Sequence, residues 1–120
     1  MDEDGLEVSA EHGVDALIRL AAENPGTLRI VAIGPLTNIA TALVKDPDFV
    51  TNVGELYIRG GSSNGRGNIT AAAEYNFYVD PEAAKAVFAA AFNITVIPWD
   101  QLTLRAAVFS RAQLAEIAAI

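Results

Sequence analysis

The chain predicts an α/β fold built as an open sheet of parallel strands joined in strand–helix–strand units. Three observations support this. Short runs rich in β-branched residues, such as Leu28-Arg29-Ile30-Val31-Ala32-Ile33, alternate with segments whose apolar residues recur at helical spacing. The runs stop at Gly or Pro, at Gly34-Pro35, Gly60-Gly61 and Pro98. The 120 residues, 52% of them hydrophobic, suffice for one core of moderate size. We therefore expect a single partial domain over residues 1–120.

Charge and composition narrow the function. A net charge of -7 without a run of Lys or Arg argues against a nucleic-acid surface. The chain has no Cys, which excludes a disulfide framework and a thiolate nucleophile and suits a cytoplasmic setting. No apolar run is long enough to span a bilayer. The start, Met1-Asp2-Glu3-Asp4, lacks the basic and apolar regions of a signal peptide. Neither nucleic acid nor membrane is expected as a partner.

The elements follow in order. Asp4-Gly5-Leu6 reads as a turn. A helix carries Val14, Leu17, Ile18 and Ala21 on one face, starts near Ser9 or Glu11, and stops at Asn24-Pro25-Gly26. His12 is expected as a surface residue at its start. Leu28–Ile33 reads as a central strand covered on both faces, because nearly every residue is apolar. Leu36, Ile39, Ala40 and Leu43 mark a second helix, which Asp46-Pro47 ends. Glu55–Arg59 is the next strand; strand, helix and strand in that order make a βαβ unit. Asp80 is the N-cap and Pro81 the first residue of a helix with an apolar stripe of Ala83, Ala84, Val87, Phe88 and Ala91. Asn93–Pro98 is a third strand. Ser110–Ile120 is a last helix, with a capping box from Ser110 to Gln113 and Leu114, Ile117 and Ala118 facing inward. Tyr57, Phe77 and Phe88 are expected in the core.

The stretch from Gly67 to Pro81 carries the functional signal. Asn68, Thr70, Glu74 and Asn76 are interleaved there with Ala, Tyr and Phe. Two amides and a carboxylate at fixed reach, beside aromatic rings, suit a polyhydroxylated ligand such as a sugar. The alternative is an ordinary connection, with Asn68 in a turn and Asn76 near a helix entrance. In open parallel sheets ligands bind beyond the carboxyl ends of the strands. Gly34–Asn38, Gly60–Asn76 and Trp99–Thr103 all emerge at that edge. Asp100 either touches a metal or ends its strand, and the second role is the expected one.

Val31-Ala32-Ile33-Gly34-Pro35-Leu36-Thr37-Asn38-Ile39-Ala40 resembles the "IGPLTN" strand–turn–helix of the inosine/uridine-preferring nucleoside hydrolases. Gly60-Gly61, Gly67-Asn68 and the run from Ala73 to Ala84 resemble that family's "GG…GN…AEFNIYVDPEAA" segment, and Asp4-Gly5-Leu6 its "DGLG" loop. The resemblance implies a piece of the nucleoside hydrolase fold. It also implies hydrolysis of the N-glycosidic bond of ribonucleosides to ribose and free base, with a bound calcium ion. By resemblance, the backbone carbonyl of Thr37 is a calcium ligand and Asn68 binds the ribose 5′-hydroxyl. Glu74 and Asn76 hold the 2′- and 3′-hydroxyls, and Tyr75 takes the aromatic position between them. Thr37 and Asn38 have simpler alternatives, as a helix cap and as a turn residue.

The sequence departs from the family pattern in three places. The family's "DxDxxxDD" cluster, which supplies most calcium ligands and the general base, is not in this chain, nor is its late His-Asp pair. Arg59 stands where many relatives carry Met. No residue is therefore assigned as catalytic, and the chain alone is expected to be inactive. A fragment or truncated product of a hydrolase is one reading. The alternative is a non-catalytic module that binds ribose weakly or joins subunits. A homo-oligomer is compatible with both.

Overall fold

The computed structural model describes residues 9–119, so the Asp4-Gly5-Leu6 turn and Ile120 lie outside the described residues. Helix α1 (Gly13–Glu23) precedes strand β1 (Leu28–Ala32). Helices α2 (Thr37–Lys45) and α3 (Phe49–Asn52) lead to β2 (Val53–Arg59). A loop, the short α4 (Tyr75–Tyr78) and α5 (Pro81–Ala89) return the chain to β3 (Ile94–Ile97). A π-helical turn (Trp99–Thr103) runs into α6 (Leu104–Ala106), and α7 (Arg111–Ala118) follows.

The three strands form one parallel sheet in the order β1-β2-β3, as the βαβ reading requires. Side chains alternate across a strand, and the alternation decides which face is packed. Leu56 and Ile58 of β2 are fully buried, with Leu28, Ile30 and Ala32 of β1 and Ile94 of β3 packed on the same core. Phe49, Leu36 and Val87 fill the space between that face and the helices, and Phe49 meets Phe92 edge-on, ring centres 5.9 Å apart. The other face carries Arg29, Glu55, Tyr57 and Arg59. Arg29 Nε donates to Glu55 Oε2 at 2.6 Å across the β1–β2 pair, and Tyr57 Oη donates to the same oxygen.

Several expectations need correction here. Among the described residues β1 is an edge strand covered on one face only, and Val31 and Ile33 are 62% and 76% exposed. A nearly all-apolar run does not reveal whether a second layer lies over it. Helix α1 does start near Glu11, and its N-cap is His12, whose Nδ1 accepts from Val14 N at 3.2 Å. Imidazole at the cap position meets an amide that aliphatic neighbours leave unbonded, and His12 is exposed at the helix start as expected. Helix α5 ends at Ala89, so Ala91 falls outside its stripe, and Phe88 lies half exposed at its rim, ring centres 5.6 Å from Phe77. The capping box of Ser110 and Gln113 is present, but Leu114, Ile117 and Ala118 are exposed and none joins the core. A cap satisfies backbone amides locally and says nothing about what the helix packs against.

Candidate functional site

The carboxyl ends of the three strands are tied together by polar side chains from the Gly67–Pro81 connection. Asn76, at the start of α4, is buried. Its Nδ2 donates to Arg59 O at 3.0 Å and to Ile33 O at 3.3 Å, bridging the ends of β2 and β1. Parallel strands diverge where their ladder stops, and the amide supplies donors to the two carbonyls left there. No donor among the described residues reaches Asn76 Oδ1.

Glu74 is the N-cap of α4 and only 2% exposed. Its Oε2 accepts from Asn76 N at 3.0 Å and from Gly61 N at 2.9 Å, and its Oε1 from Arg59 Nη1 at 2.8 Å. A carboxylate out of water needs such charge-assisted donors. Two glycines make the arrangement possible. A Cβ on Gly60 would lie 2.7 Å from the Phe77 ring, and one on Gly61 would lie 2.8 Å from it, and Gly61 has φ +70°. Phe77 thus lies flat on the backbone that presents the Gly61 amide to Glu74.

Arg59, the last residue of β2, completes this group. Its guanidinium lies 5.2 Å from the centre of the Trp99 ring, and its side chain keeps 27% exposure. Asn68 is exposed and its Oδ1 accepts from Tyr75 N at 2.8 Å, so the amide folds its loop onto the start of α4. Within that loop the amides of Gly67 and Asn68 donate to Ala71 O and Ala73 O. A Cβ on Gly67 would meet Ala73 O at 2.2 Å. Thr70 Oγ1 accepts from Ala73 N at 2.9 Å. Tyr75 is half exposed, its side chain open to a ligand. Beside Glu74 lies a cavity of about 370 Å³ lined in part by Ser62, Phe77 and Tyr78, and Ser62 Oγ is buried without a partner.

The structure therefore brings Asn68, Glu74, Tyr75 and Asn76 into one cluster of contacts. It also uses Glu74 and one end of each amide to hold the backbone. Thr37 lies one step away. It is the first residue of α2 and caps nothing; its Oγ1 donates to Asp80 Oδ2, which joins the N-termini of α2 and α5. Its carbonyl accepts from Thr41 Oγ1 at 2.7 Å within the helical turn. A carbonyl oxygen has two lone pairs, and this bond engages one of them. Asp80 caps α5 as expected, accepting from Ala83 N at 3.0 Å. The Thr37 hydroxyl and that amide hold its carboxyl below the ordinary carboxylate value.

Asp100 corrects an expectation, since β3 ends at Ile97 and Asp100 lies in the turn beyond it rather than closing the strand. It is buried and accepts from Ser63 N at 3.0 Å and Asn64 N at 2.7 Å, with Ser63 Oγ at 3.2 Å. These donors, the Ser63 amide foremost, hold its carboxyl below the ordinary value. It fastens the loop after β2 to the turn after β3. Sequence reasoning treated Arg59 only as a departure from a pattern. A charged residue closing the strand directly after Leu56-Tyr57-Ile58, next to Gly-Gly, was the available signal.

Comparison with known proteins agrees with this arrangement. The family model described as "Inosine-uridine preferring nucleoside hydrolase" matches residues 2–120. The chain belongs to this family. Among its relatives is the non-specific ribonucleoside hydrolase RihC of Klebsiella pneumoniae, 50% identical over 86 residues, which are 72% of this chain and 27% of that protein. Uridine nucleosidase 1 of Arabidopsis thaliana is 42% identical over 89 residues, 74% of this chain and 26% of that protein. The solved purine-preferring ribonucleoside hydrolase from Gardnerella vaginalis superposes with a TM-score of 0.76 at 33% identity, covering 80% of this chain and 30% of that one. This nucleoside hydrolase chain thus spans less than a third of the length of the curated relatives it matches. Among the described residues no three His, Cys, Asp or Glu side chains gather as metal ligands. Calcium takes about six to eight oxygens. The described residues do not by themselves make up that shell.

Proposed function

We propose that this chain carries the ribose-gripping part of a ribonucleoside hydrolase, which splits the N-glycosidic bond to ribose and free base. The observation that carries this reading is Asn76. Buried and fixed by two strand-end carbonyls, it keeps a carbonyl oxygen available at the edge where parallel sheets bind ligands. A ribose hydroxyl donating to Asn76 Oδ1 meets an acceptor that needs no reorganisation. Asn68 holds Tyr75 N with its oxygen, which leaves its Nδ2 to donate to a second hydroxyl. Glu74 fixes the start of α4, and Tyr75 offers an exposed ring beside them. The aromatic-walled cavity at Phe77 and Tyr78 gives room for a small ligand.

As the bond to the base breaks, positive charge develops on the sugar. Glu74 is close to that region, but Arg59 already faces it, so its role here is to position and not to supply net negative charge. No residue of the chain is assigned as general base. The calcium ion of the family remains an expectation of the resemblance. The cysteine-free composition supports a cytosolic setting, and no helix among the described residues is long and apolar enough to cross a membrane.

Calorimetric titration with ribose tests the reading directly. Binding that Asn76→Leu abolishes is the expected result, and a chain that ignores ribose rules the reading out. Base release from inosine and uridine, with and without calcium, then reports whether the chain has activity by itself; we expect none. A subunit-joining role is the second reading, favoured by the exposed Val31 and Ile33 on the β1 edge. Sedimentation showing a monomer at all concentrations excludes it.

A further inference from the structure

Asn64 is the only asparagine in the chain that Gly follows; Ile, Val, Phe or Pro follows each of the others. Asn64-Gly65 lies in the loop after β2, and both residues are exposed. Among the described residues the Asn64 side chain makes no hydrogen bond, and the Gly65 amide donates to nothing. Gly65 has φ +68°, and a Cβ there would meet nothing within 4 Å, so no neighbour crowds the peptide bond that joins the pair. Asn68, further along the same loop, is treated differently. Its Oδ1 holds Tyr75 N, and the amide that follows it, Ile69 N, donates to Ala73 O at 3.2 Å. Asn76 is buried in α4. The main chain of Asn64 has a task of its own, since its amide donates to Asp100 Oδ2 at 2.7 Å.

We infer that Asn64-Gly65 is a self-modification site: the asparagine deamidates through a cyclic imide, and the carboxylate so formed loosens the fastening at Asp100. This stands apart from the ribose reading. Gly65 N gives up its proton to hydroxide and bonds to Asn64 Cγ. The Cγ–Nδ2 bond breaks, and Nδ2 takes a proton from water and leaves as ammonia. Water then opens the imide ring. Opening at Cγ gives aspartate; opening at the main-chain carbonyl gives isoaspartate, with the chain running through Cβ. Nothing is oxidised or reduced. Either product puts a carboxylate on the residue whose amide holds Asp100 Oδ2. Asp100 is buried and its donors are neutral, so no cation among them offsets a second negative charge at that range. Isoaspartate also lengthens the main chain beside the amides that reach Asp100. The loop fastened there leads on to Asn68 and Glu74.

The test ages the 120-residue chain in mildly alkaline buffer and digests samples with trypsin. Cleavage after Arg59, Arg66 and Lys85 leaves Asn64 in residues 60–66, and Asn68 with Asn76 in residues 67–85. Mass spectrometry is expected to find Asn64 converting at least about ten-fold faster than Asn68 or Asn76, because Gly leaves the attacking amide unhindered where a β-branched or helical neighbour does not. The deamidated chain, separated by its added negative charge, is expected to melt about 3 °C or more below the fresh chain. Hydrogen exchange at the Ser63 amide is expected to accelerate with it. Asn64→Gln, whose longer side chain closes a ring slowly, is expected to keep its melting point on ageing. Should Asn64→Gln fail to fold, the two separated forms of the parent chain carry the comparison by themselves. Conversion at Asn64 no faster than at Asn68 overturns the inference. So does conversion that leaves both the melting point and the Ser63 exchange as they were. An equal fall in the melting point of aged Asn64→Gln assigns the change to another residue and overturns it too.

Discussion

Two buried acids stand at the ends of adjacent strands and are treated differently. Glu74, which reaches back to the end of β2, shares its two oxygens between backbone amides and Arg59. Asp100, just past β3, gives both oxygens to the loop after β2, through the amides of Ser63 and Asn64 and the Ser63 hydroxyl. Asp100 is thus fastened by neutral donors that all come from one loop. Glu74 joins the same kind of fastening to a partly exposed cation, which connects it to whatever occupies the strand ends. The comparison teaches that burial of an acid is not a sign of chemistry. What separates the two is whether a charged side chain is among the donors.

Substitutions test that contrast, starting with the strongest effect. Glu74→Ala leaves Arg59 without its partner and two amides without an acceptor, and is expected to cost about 3–5 kcal/mol. Urea denaturation measures it; a loss under about 1 kcal/mol would erase the distinction between the two acids. Asn76→Leu removes the donor shared by the Ile33 and Arg59 carbonyls and is expected to cost about 2–3 kcal/mol. Hydrogen exchange at the ends of β1 and β2 should accelerate with it.

Asp100→Asn keeps the shape of the fastening and loses its charge, with a smaller loss of stability near neutral pH than either change above. Its pH dependence has a definite sign. A carboxyl whose folded value is depressed binds fewer protons in the folded chain than in the unfolded one, so it stabilises above the ordinary value of 3.8 and loses that contribution as pH falls below it. Melting points at pH 7 and pH 3 should therefore differ more in the parent chain than in Asp100→Asn. The same slope in both would show that Asp100 is not the titrating group. The smallest effect is expected at Leu114→Ala on α7, under about 0.5 kcal/mol, because that side chain is half exposed. A large loss there would mean that α7 packs on something the rest of the chain does not reveal.

Much of the fold was legible in the sequence. Asp80 before Pro81 announced the start of α5, and Ser110 with Gln113 that of α7, because caps are local chemistry written within four residues. The strands were legible from β-branched runs, and their parallel pairing from the helices between them. Misreadings fell where a distant neighbour decided. Leu28–Ile33 looked like a fully covered strand, yet among the described residues only one of its faces meets helices. Leu114 and Ile117 had inward spacing with no inward surface to meet. In the site, the grouping of Asn68, Glu74, Tyr75 and Asn76 could be read from spacing. The engagement of Arg59 with Glu74 and Trp99 could not, since it joins residues from three segments.

By itself the amino-acid order determined the class of fold, the helix starts and the family, because each depends on patterns only a few residues long. Tertiary structure alone decided which oxygens are engaged and which remain open: Glu74 closed over by Arg59, Asn76 held by two strands with its carbonyl left available, Asp100 tied to a loop 36 residues earlier in the chain. Hydrogen-bond donors are matched to acceptors by proximity in space, and proximity between segments is what chain order does not carry.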